Sequence, residues 1–296
     1  MKKTIFFLLL VVVTLTTKAQ VYSTSQAGET PQTLFNYPQA PDTISSFQER
    51  ANYVVSRFWN NLDVSKTVQD EVALEGAFRD YLGFFPHAHK TIVLNSITDF
   101  LNRLQSNKSN YALIGKIAEK CLYSSQAVFA SDEAYLPFAE AMMKNKSFSK
   151  AQREYYKKQV EKINNNMIGS ICPELSVEDL EGEKTKLSNL LGEKITLLYF
   201  NDNECSDCVI SRLRLSTNVG INKMIADGEI KIICISPKKY SKEWAGEAKS
   251  WAENWTIVAS DKALDEFDVR IMPSVIVINE EKKIADKNLS VEMLLR

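Results

Sequence analysis

Two cysteines three positions apart, Cys205 and Cys208, have the residue type and spacing best suited to chemistry in this chain. They follow an apolar run at residues 195–200 and precede residues 209–215, whose pattern predicts a helix. Two thiols at i and i+3 on the first turn of a helix face each other and can close a small disulfide. The first thiol lies where free backbone N–H groups and the helix dipole stabilise a thiolate. The spacing therefore predicts a redox-active dithiol at a strand-to-helix turn.

The other three cysteines are predicted to be less reactive. Cys234 falls in an apolar strand pattern and Cys121 on an apolar helical stripe, so both are expected in hydrophobic cores. Cys172 stands beside a proline, and packing is its expected role, with disulfide exchange as the alternative. Five cysteines are too few for a disulfide framework, and their odd number leaves at least one thiol without an internal partner.

A secretory signal is predicted at residues 1–19. Lys2 and Lys3 form its charged start, residues 5–13 its apolar segment, and residues 17–19 a small-x-small cleavage site. The apolar segment is too short to span a bilayer, and no cysteine lies near the predicted cut for a lipid anchor. We therefore expect an exported, periplasmic protein whose mature chain has no transmembrane segment.

The composition disfavours nucleic-acid binding. Without the three lysines of the predicted signal, 33 of the 36 Lys and Arg residues remain against 37 Asp and Glu, a formal charge of −4. No basic stripe interleaved with aromatic residues occurs in the sequence. The length that remains after cleavage suits two domains.

A change of hydrophobic period at residues 164–166 separates the two predicted domains. Residues 20–42 are polar and contain three prolines, which predicts a flexible lead-in. Residues 43–164 show helical periodicity throughout and predict an all-α domain of five to seven helices. Ser131 and Ser149 are expected to cap two of these helices, the second in a capping box.

After this boundary, short apolar strands alternate with helices. This order predicts an α/β domain over residues 167–296, in which a mixed sheet is flanked by helices. The predicted strands are residues 175–177, 185–187, 195–200, 230–236, 256–259, 274–279 and 282–285. Besides the helix that carries the cysteines, helices are predicted at residues 188–191, 242–251, 261–267 and 291–295.

The order strand, CxxC, helix, strand, helix, and then Met272-Pro273 entering a strand resembles the thioredoxin-like superfamily. The resemblance is closest to its extracytoplasmic TlpA/ResA-like (AhpC/TSA-like) branch. Residues 169–175, Gly-Ser-Ile-Cys-Pro-Glu-Leu, are similar to the opening Gly-x-x-Ala-Pro-x-Phe pattern of that branch, and residues 181–190 are similar to its hairpin and turn. The likeness covers residues 167–296, while the helical half resembles an uncharacterised bacterial domain family often found ahead of such domains.

The resemblance implies that Cys205 is the attacking thiol and Cys208 the resolving one. It also implies a cis peptide bond at Pro273, facing the cysteines, with the Met272 backbone turned towards an extended peptide; a trans proline at the strand start is the alternative. The implied activity is that of a thiol–disulfide oxidoreductase. It would act on cysteine-containing envelope proteins, take electrons from a membrane-bound thiol donor and need no cofactor beyond the dithiol.

The chain departs from the family pattern near the cysteines. Glu204 stands where the family has tryptophan, and Tyr199 where thioredoxins hold a buried carboxylate. Asp202, Glu204 and Asp207 place negative charge near the thiols, and negative charge destabilises a thiolate. A less stabilised thiolate gives a more stable disulfide and a lower reduction potential, so a reducing site is predicted.

Other interpretations of the cysteine pair stay open. An inert structural disulfide has the same spacing, although such disulfides rarely occupy an exposed strand-to-helix turn. A zinc site needs two further ligands, and the only histidines, His87 and His89, are expected in a surface loop of the helical half, so no metal is expected. A peroxiredoxin-type peroxidase needs Thr or Ser three residues before the attacking cysteine, where this chain has Asp202. The rival from another class is a non-catalytic envelope protein that binds or assembles partners and uses the thioredoxin-like domain as a scaffold.

Overall fold

A computed structural model describes residues 33–295 of the chain. The predicted signal at residues 1–19, and the predicted lead-in as far as residue 32, lie outside the described residues. From Leu34 onward the chain forms one compact unit. Within it, a helical region (residues 34–166) precedes a sheet region (residues 167–295).

Six α-helices form the described part of the helical region, and the last of them ends at Asn165. Ser131 accepts a hydrogen bond from the backbone N–H of Ala134, and Ser149 with Gln152 forms the predicted capping box. A 3₁₀ turn occupies Phe85–His87, and a π-helical turn occupies Glu119–Tyr123. The helices are α1 Phe47–Arg57, α2 Glu71–Gly83, α3 Lys90–Leu104, α4 Lys108–Ala118, α5 Asp132–Lys144 and α6 Lys150–Asn165.

Aromatic side chains fill the core of the helical region. The rings of Trp59 and Phe100 stack with their centroids 4.1 Å apart, and Phe58 meets Trp59 edge-on at 5.0 Å. Pairs of this kind each add about 0.5–1.5 kcal/mol beyond the burial of their surface. The hydroxyl of Tyr81 enters the same core and donates to Ser96 Oγ at 2.8 Å, so that polar atom is satisfied.

The end of the predicted flexible lead-in packs against this core, and that part of the prediction is wrong. Phe35 is buried with its ring 5.6 Å from that of Trp59, and the Tyr37 ring lies 4.7 Å from that of Phe58. The Tyr37 hydroxyl also donates to Asp80 at 2.8 Å. Leu34, Phe35 and Tyr37 are too few to form a periodic pattern in the sequence, although the two rings bury a large apolar surface.

The sheet region contains the predicted mixed sheet of seven strands. They are β1 Ser176–Glu178, β2 Lys184–Lys186, β3 Ile195–Phe200, β4 Ile230–Ser236, β5 Thr256–Ala259, β6 Ser274–Ile278 and β7 Ile284–Leu289. Their order across the sheet is β2-β1-β5-β4-β3-β6-β7, with β3, β4 and β5 parallel neighbours and the remaining pairs antiparallel. The central strands are buried on both faces, which explains their near-continuous apolar sequences.

Five helices accompany the sheet: α7 Ser206–Ser216, α8 Val219–Ala226, α9 Lys242–Ala248, α10 Ala263–Glu266 and α11 Val291–Leu294. The sequence analysis missed α8, a helix of eight residues with none buried, although Ile221 and Ile225 pack partly buried against the sheet core. β7 begins two residues later than predicted, since Lys282 has a φ of 62° and belongs to the turn. No helix among residues 33–295 is long and apolar enough to cross a membrane.

The topology brings two loops to one edge of the sheet. β3 and β6 are antiparallel neighbours, and Phe200 at the end of β3 lies opposite Ser274 at the start of β6. The segment that follows β3 and the segment that precedes β6 therefore lie side by side. The first of these leads to Cys205 and the second contains Pro273.

Candidate active site

Cys205 caps the helix that carries the pair. It occupies the N-cap position of α7, with extended backbone, and its Sγ accepts a hydrogen bond from the backbone N–H of Cys208 at 3.2 Å. A sulfur in this position satisfies one of the free donors of the first helical turn and lies at the positive end of the helix dipole. Cys205 is partly exposed, whereas Cys208 is 0% exposed, so Cys205 is the more accessible thiol.

The loop before β6 lies against this thiol. The Met272–Pro273 peptide bond is cis, as the resemblance implies. The Cys205 thiol donates to the backbone carbonyl of Met272, with Sγ and O 3.8 Å apart. The structure therefore brings together all four predicted site residues, two on the first turn of α7 and two in the loop before β6.

Burial keeps Cys208 protonated in the dithiol form. It raises the pKa of the Cys208 thiol to about 12, and the neighbouring Cys205 sulfur adds to the rise, while a backbone N–H of Asp202 partly offsets it. A thiol with this pKa is a poor nucleophile at neutral pH. The arrangement thus provides one accessible sulfur and one enclosed, protonated sulfur three residues away.

The space behind Cys208 holds a neutral hydroxyl. Tyr199 is fully buried, and its hydroxyl donates to the Cys208 carbonyl at 3.0 Å and lies 3.4 Å from Asn201 Oδ1. Burial raises the pKa of Tyr199, so this hydroxyl is not a base at neutral pH. Arg212 Nη1 donates to the same Asn201 oxygen at 3.4 Å. The sequence analysis showed that Tyr199 replaces the buried carboxylate of thioredoxins. It gave no sign that Asn201 and Arg212 would form hydrogen bonds beside it.

The negative charge predicted beside the thiols is partly neutralised by Lys238. Its Nζ lies 3.0 Å from Asp202 Oδ1 and 2.8 Å from Glu204 Oε1. The hydrogen bond to Glu204, and then that to Asp202, raises the pKa of Lys238, so the lysine stays charged. Together, Lys238 and the three acidic residues Asp202, Glu204 and Asp207 carry a formal charge of −2. The sequence analysis missed Lys238, although it follows β4, which is the parallel neighbour of β3 and ends at the same edge.

The remaining cysteines are buried or partly buried. Cys234 is fully buried in β4 and Cys121 is buried in the helical core, as predicted, and burial raises the pKa of both. The Cys172 N–H donates to the carbonyl of Lys282 at 2.9 Å, in the β6–β7 turn. That turn lies at the opposite end of β6 from Pro273. Burial raises the pKa of Cys172 to about 12, and its position matches packing rather than exchange with the pair.

The two histidines lie in the helical region. The His87 ring meets the Phe47 ring edge-on at 4.9 Å, and His89 precedes the first residue of α3. Within the part of the chain that the structure describes, no three His, Cys, Asp or Glu side chains are grouped as metal ligands.

The mixed sheet, the cysteine pair at the start of α7 and the cis-proline opposite it define a thioredoxin-like fold. A solved structure of a thioredoxin-like protein from Bacteroides caccae is similar to this chain, with a TM-score of 0.77 and 21% sequence identity. The match covers 89% of this chain and 97% of that one, so the likeness in fold extends over both the helical and the sheet regions.

The chain belongs to the family described as "Domain of unknown function (DUF5106)", whose model matches residues 14–166. The C-terminal domain of an uncharacterised protein from Bacteroides fragilis is 22% identical over 44% of this chain and 95% of that one, with a TM-score of 0.40. A domain of a possible thiol-disulfide isomerase from Cytophaga hutchinsonii is 24% identical over 43% of this chain and 88% of that one, with a TM-score of 0.37. No curated protein matches the chain.

Proposed function

We propose that the protein is an exported thiol–disulfide oxidoreductase that acts on protein disulfides through Cys205 and Cys208. The observation that carries the proposal is the setting of Cys205. Its sulfur caps a helix, accepts the Cys208 N–H at 3.2 Å and lies 3.8 Å from the Met272 carbonyl beside Pro273. The thiolate is the species that attacks disulfides, and Cys205 is the accessible sulfur of the pair.

The proposed reaction transfers two electrons from the dithiol to a substrate disulfide. The Cys205 thiolate attacks one substrate sulfur, the substrate S–S bond breaks, and the departing substrate sulfur takes up a proton. Cys208 then loses its proton and attacks Cys205 Sγ in the mixed disulfide. The second substrate sulfur leaves as a thiol, and the protein is left with a Cys205–Cys208 disulfide.

The Met272–Pro273 loop is the proposed substrate-binding edge. A peptide lying extended along the Met272 backbone would present its disulfide to Cys205, because the Met272 carbonyl already contacts the Cys205 sulfur. Backbone pairing of this kind accepts many sequences, since it reads the main chain rather than the side chains.

We propose that the working direction is reduction. The acidic residues beside the pair outnumber the one lysine that contacts them, and the excess negative charge disfavours the thiolate relative to the disulfide. Regeneration then needs an electron donor, for which a membrane-bound thiol protein is the proposed partner. Cysteine-containing envelope proteins are the proposed substrates, and both partners rest on the predicted signal at residues 1–19.

Mixed-disulfide trapping in the cell envelope tests this function. Replacing Cys208 by Ser leaves Cys205 joined to its substrate, because the second attack is lost. The expected result is a set of proteins released by reductant from Cys208→Ser and absent from Cys205→Ser. If the two variants retain the same proteins, the protein is a non-catalytic scaffold and the proposed oxidoreductase function is wrong.

A further inference from the structure

A cluster of charged side chains joins the helical region to the loop that contains Met272. Arg270 Nη2 lies 2.7 Å from Asp268 Oδ2 and also pairs with Asp132, the first residue of α5. Lys287 of β7 lies 2.6 Å from Asp132 Oδ2 and 3.0 Å from Asp268 Oδ2. The Tyr123 hydroxyl donates to Asp268 Oδ1 at 3.0 Å, and the Arg270 guanidinium lies over the Tyr123 ring at 4.1 Å.

The cluster is enclosed and its charges balance. The Asp268 side chain is 2% exposed and that of Lys287 is 8% exposed, and two carboxylates face two cations. Burial alone would raise the pKa of Asp268, but the hydrogen bonds and charges of Arg270 and Lys287 outweigh it and lower the pKa. Because enclosed charges are stable only when they are paired, each member is held in one place by the others.

Two members of the cluster belong to the loop that leads to the redox site. Asp268 and Arg270 precede Met272 by four and two residues, and both contact the helical region. The Met272 carbonyl lies 3.8 Å from Cys205 Sγ. The position of this carbonyl therefore depends on a short segment whose side chains are anchored outside the sheet region.

We infer that Tyr123 and Asp132 of the helical region are positioning residues for the redox site, because they anchor the loop that places the Met272 carbonyl against Cys205. The helical region, which forms most of the DUF5106 match, then completes the substrate-binding edge. The inference rests on the proposed function for its catalytic consequence, while the positioning itself concerns the reactivity of the Cys205 sulfur.

Other contacts between the two regions supply a matched control. Lys162 of α6 donates to the carbonyl of Leu264 at 2.6 Å, and Asn166 donates to that of Glu266 at 2.8 Å. Both acceptors belong to α10, which precedes the loop. Loss of either the hydrogen bonds to α10 or the charged cluster should weaken the contact between the helical and sheet regions. Only loss of the charged cluster should displace the loop that contains Met272.

The test compares Asp132→Asn and Tyr123→Phe with the control Lys162→Met in the full chain. The first measurement is the rate at which iodoacetamide alkylates Cys205 in the reduced protein at fixed pH, located by mass spectrometry. The second is the rate of reduction of a linear peptide disulfide. Circular dichroism verifies that each variant is folded.

Opposite changes in the two rates are expected for the cluster variants. Alkylation of Cys205 rises about threefold, because the carbonyl that accepts the S–H moves away, and peptide reduction falls about tenfold, because the edge that aligns the peptide is displaced. The control changes neither rate. The inference is wrong if Asp132→Asn and Tyr123→Phe are folded and both of their rates stay within about twofold of the parent rates. It is also wrong if Lys162→Met proves to alter the two rates in the same way as the cluster variants.

The outcomes separate the inference from the proposed function. If the parent protein does not reduce the peptide, the proposed function fails, and the alkylation rates alone decide whether Asp132 and Tyr123 position the loop. If Asp132→Asn does not fold, Tyr123→Phe decides, since it removes a single hydroxyl. A parent that reduces the peptide as fast as its folded cluster variants leaves the function standing and overturns the positioning role.

Discussion

The sulfur of Cys205 lies 3.8 Å from the backbone carbonyl oxygen of Met272, a residue 67 positions further along the chain. The antiparallel pairing of β3 with β6 creates this contact, because it sets the end of one strand beside the start of the other. The more accessible thiol of the pair is therefore partly exposed and also contacts a stretch of backbone. This relationship is the basis of the proposed peptide-binding edge.

Because of Cys208, the reduced protein should lose stability at alkaline pH. Its pKa is raised to about 12 in the folded protein, against about 8.5 for an unfolded cysteine, so folding favours the protonated thiol. The stabilisation that the protonated thiol contributes is complete at a pH below the pKa of the unfolded cysteine. It is lost as the pH rises towards the pKa of Cys208 in the folded protein. Between about pH 8 and about pH 10.5, the free energy of unfolding should fall by about 2 kcal/mol more than in Cys208→Ala.

Urea titrations of both proteins under excess phosphine reductant measure this difference. The comparison with Cys208→Ala removes the contribution of the buried tyrosines, whose pKa values are also raised and which act in the same direction. Equal falls for the two proteins would show that Cys208 is solvated in the folded state.

Lys238 should tune the reduction potential. In Lys238→Met, Asp202 and Glu204 lose the cation that contacts them, and the thiolate form of the pair becomes less favourable. We expect the potential, measured by equilibration with dithiothreitol, to fall by about 20 mV at low salt, and by less at high salt. Lys157→Met is the matched control, because it makes the same charge change in α6 beside Glu154 and Glu161. A rise in potential would contradict the proposed role of the acidic residues.

Tyr199 should be structural and not a proton carrier. Tyr199→Phe removes the hydrogen bond to the Cys208 carbonyl, so the expected loss of stability is about 1 kcal/mol. Because burial raises the pKa of the hydroxyl, disulfide reduction should continue at a rate within about threefold of the parent rate. If the folded variant reduced disulfides a hundredfold more slowly, Tyr199 would be the group that accepts the proton of Cys208.

Phe35 should stabilise the helical region, although it belongs to the stretch predicted as a lead-in. Phe35→Ala removes a buried ring that contacts Phe58 and Trp59, and the expected destabilisation is about 3 kcal/mol. Phe47→Ala is the control, because Phe47 is 68% exposed and its loss should cost less than about 1 kcal/mol. Chemical denaturation gives both values, and similar losses for the two variants would contradict the packing of Phe35.

The sequence predicted the features whose cause is local. β3, β4 and β5 have the predicted bounds because each is a continuous apolar run between polar residues. The caps at Ser131 and Ser149 were predictable because a cap depends on residues within three positions of it. The cysteine pair was recognisable for the same reason, since its spacing fits one helical turn.

Features that depend on distant residues were not predictable from one sequence. Arg270 and Asp132 pair across 138 positions, and nothing in either neighbourhood marks the other. Lys238 reaches Asp202 and Glu204 only because β3 and β4 are parallel neighbours. These contacts decide the charge and geometry of the candidate site, so the surroundings of the predicted residues could not be predicted.

Turnover of insulin disulfides by dithiothreitol tests the central claim most directly, namely that Cys205 is the nucleophile of a thiol–disulfide oxidoreductase. The rate is compared between the parent protein, Cys205→Ser and the control Cys172→Ser, a residue whose backbone N–H contacts the β6–β7 turn at the other end of β6. The account predicts that the parent and Cys172→Ser accelerate the reaction equally, and that Cys205→Ser falls to the uncatalysed rate. Equal acceleration by Cys205→Ser and the parent, or no acceleration by the parent, would contradict it.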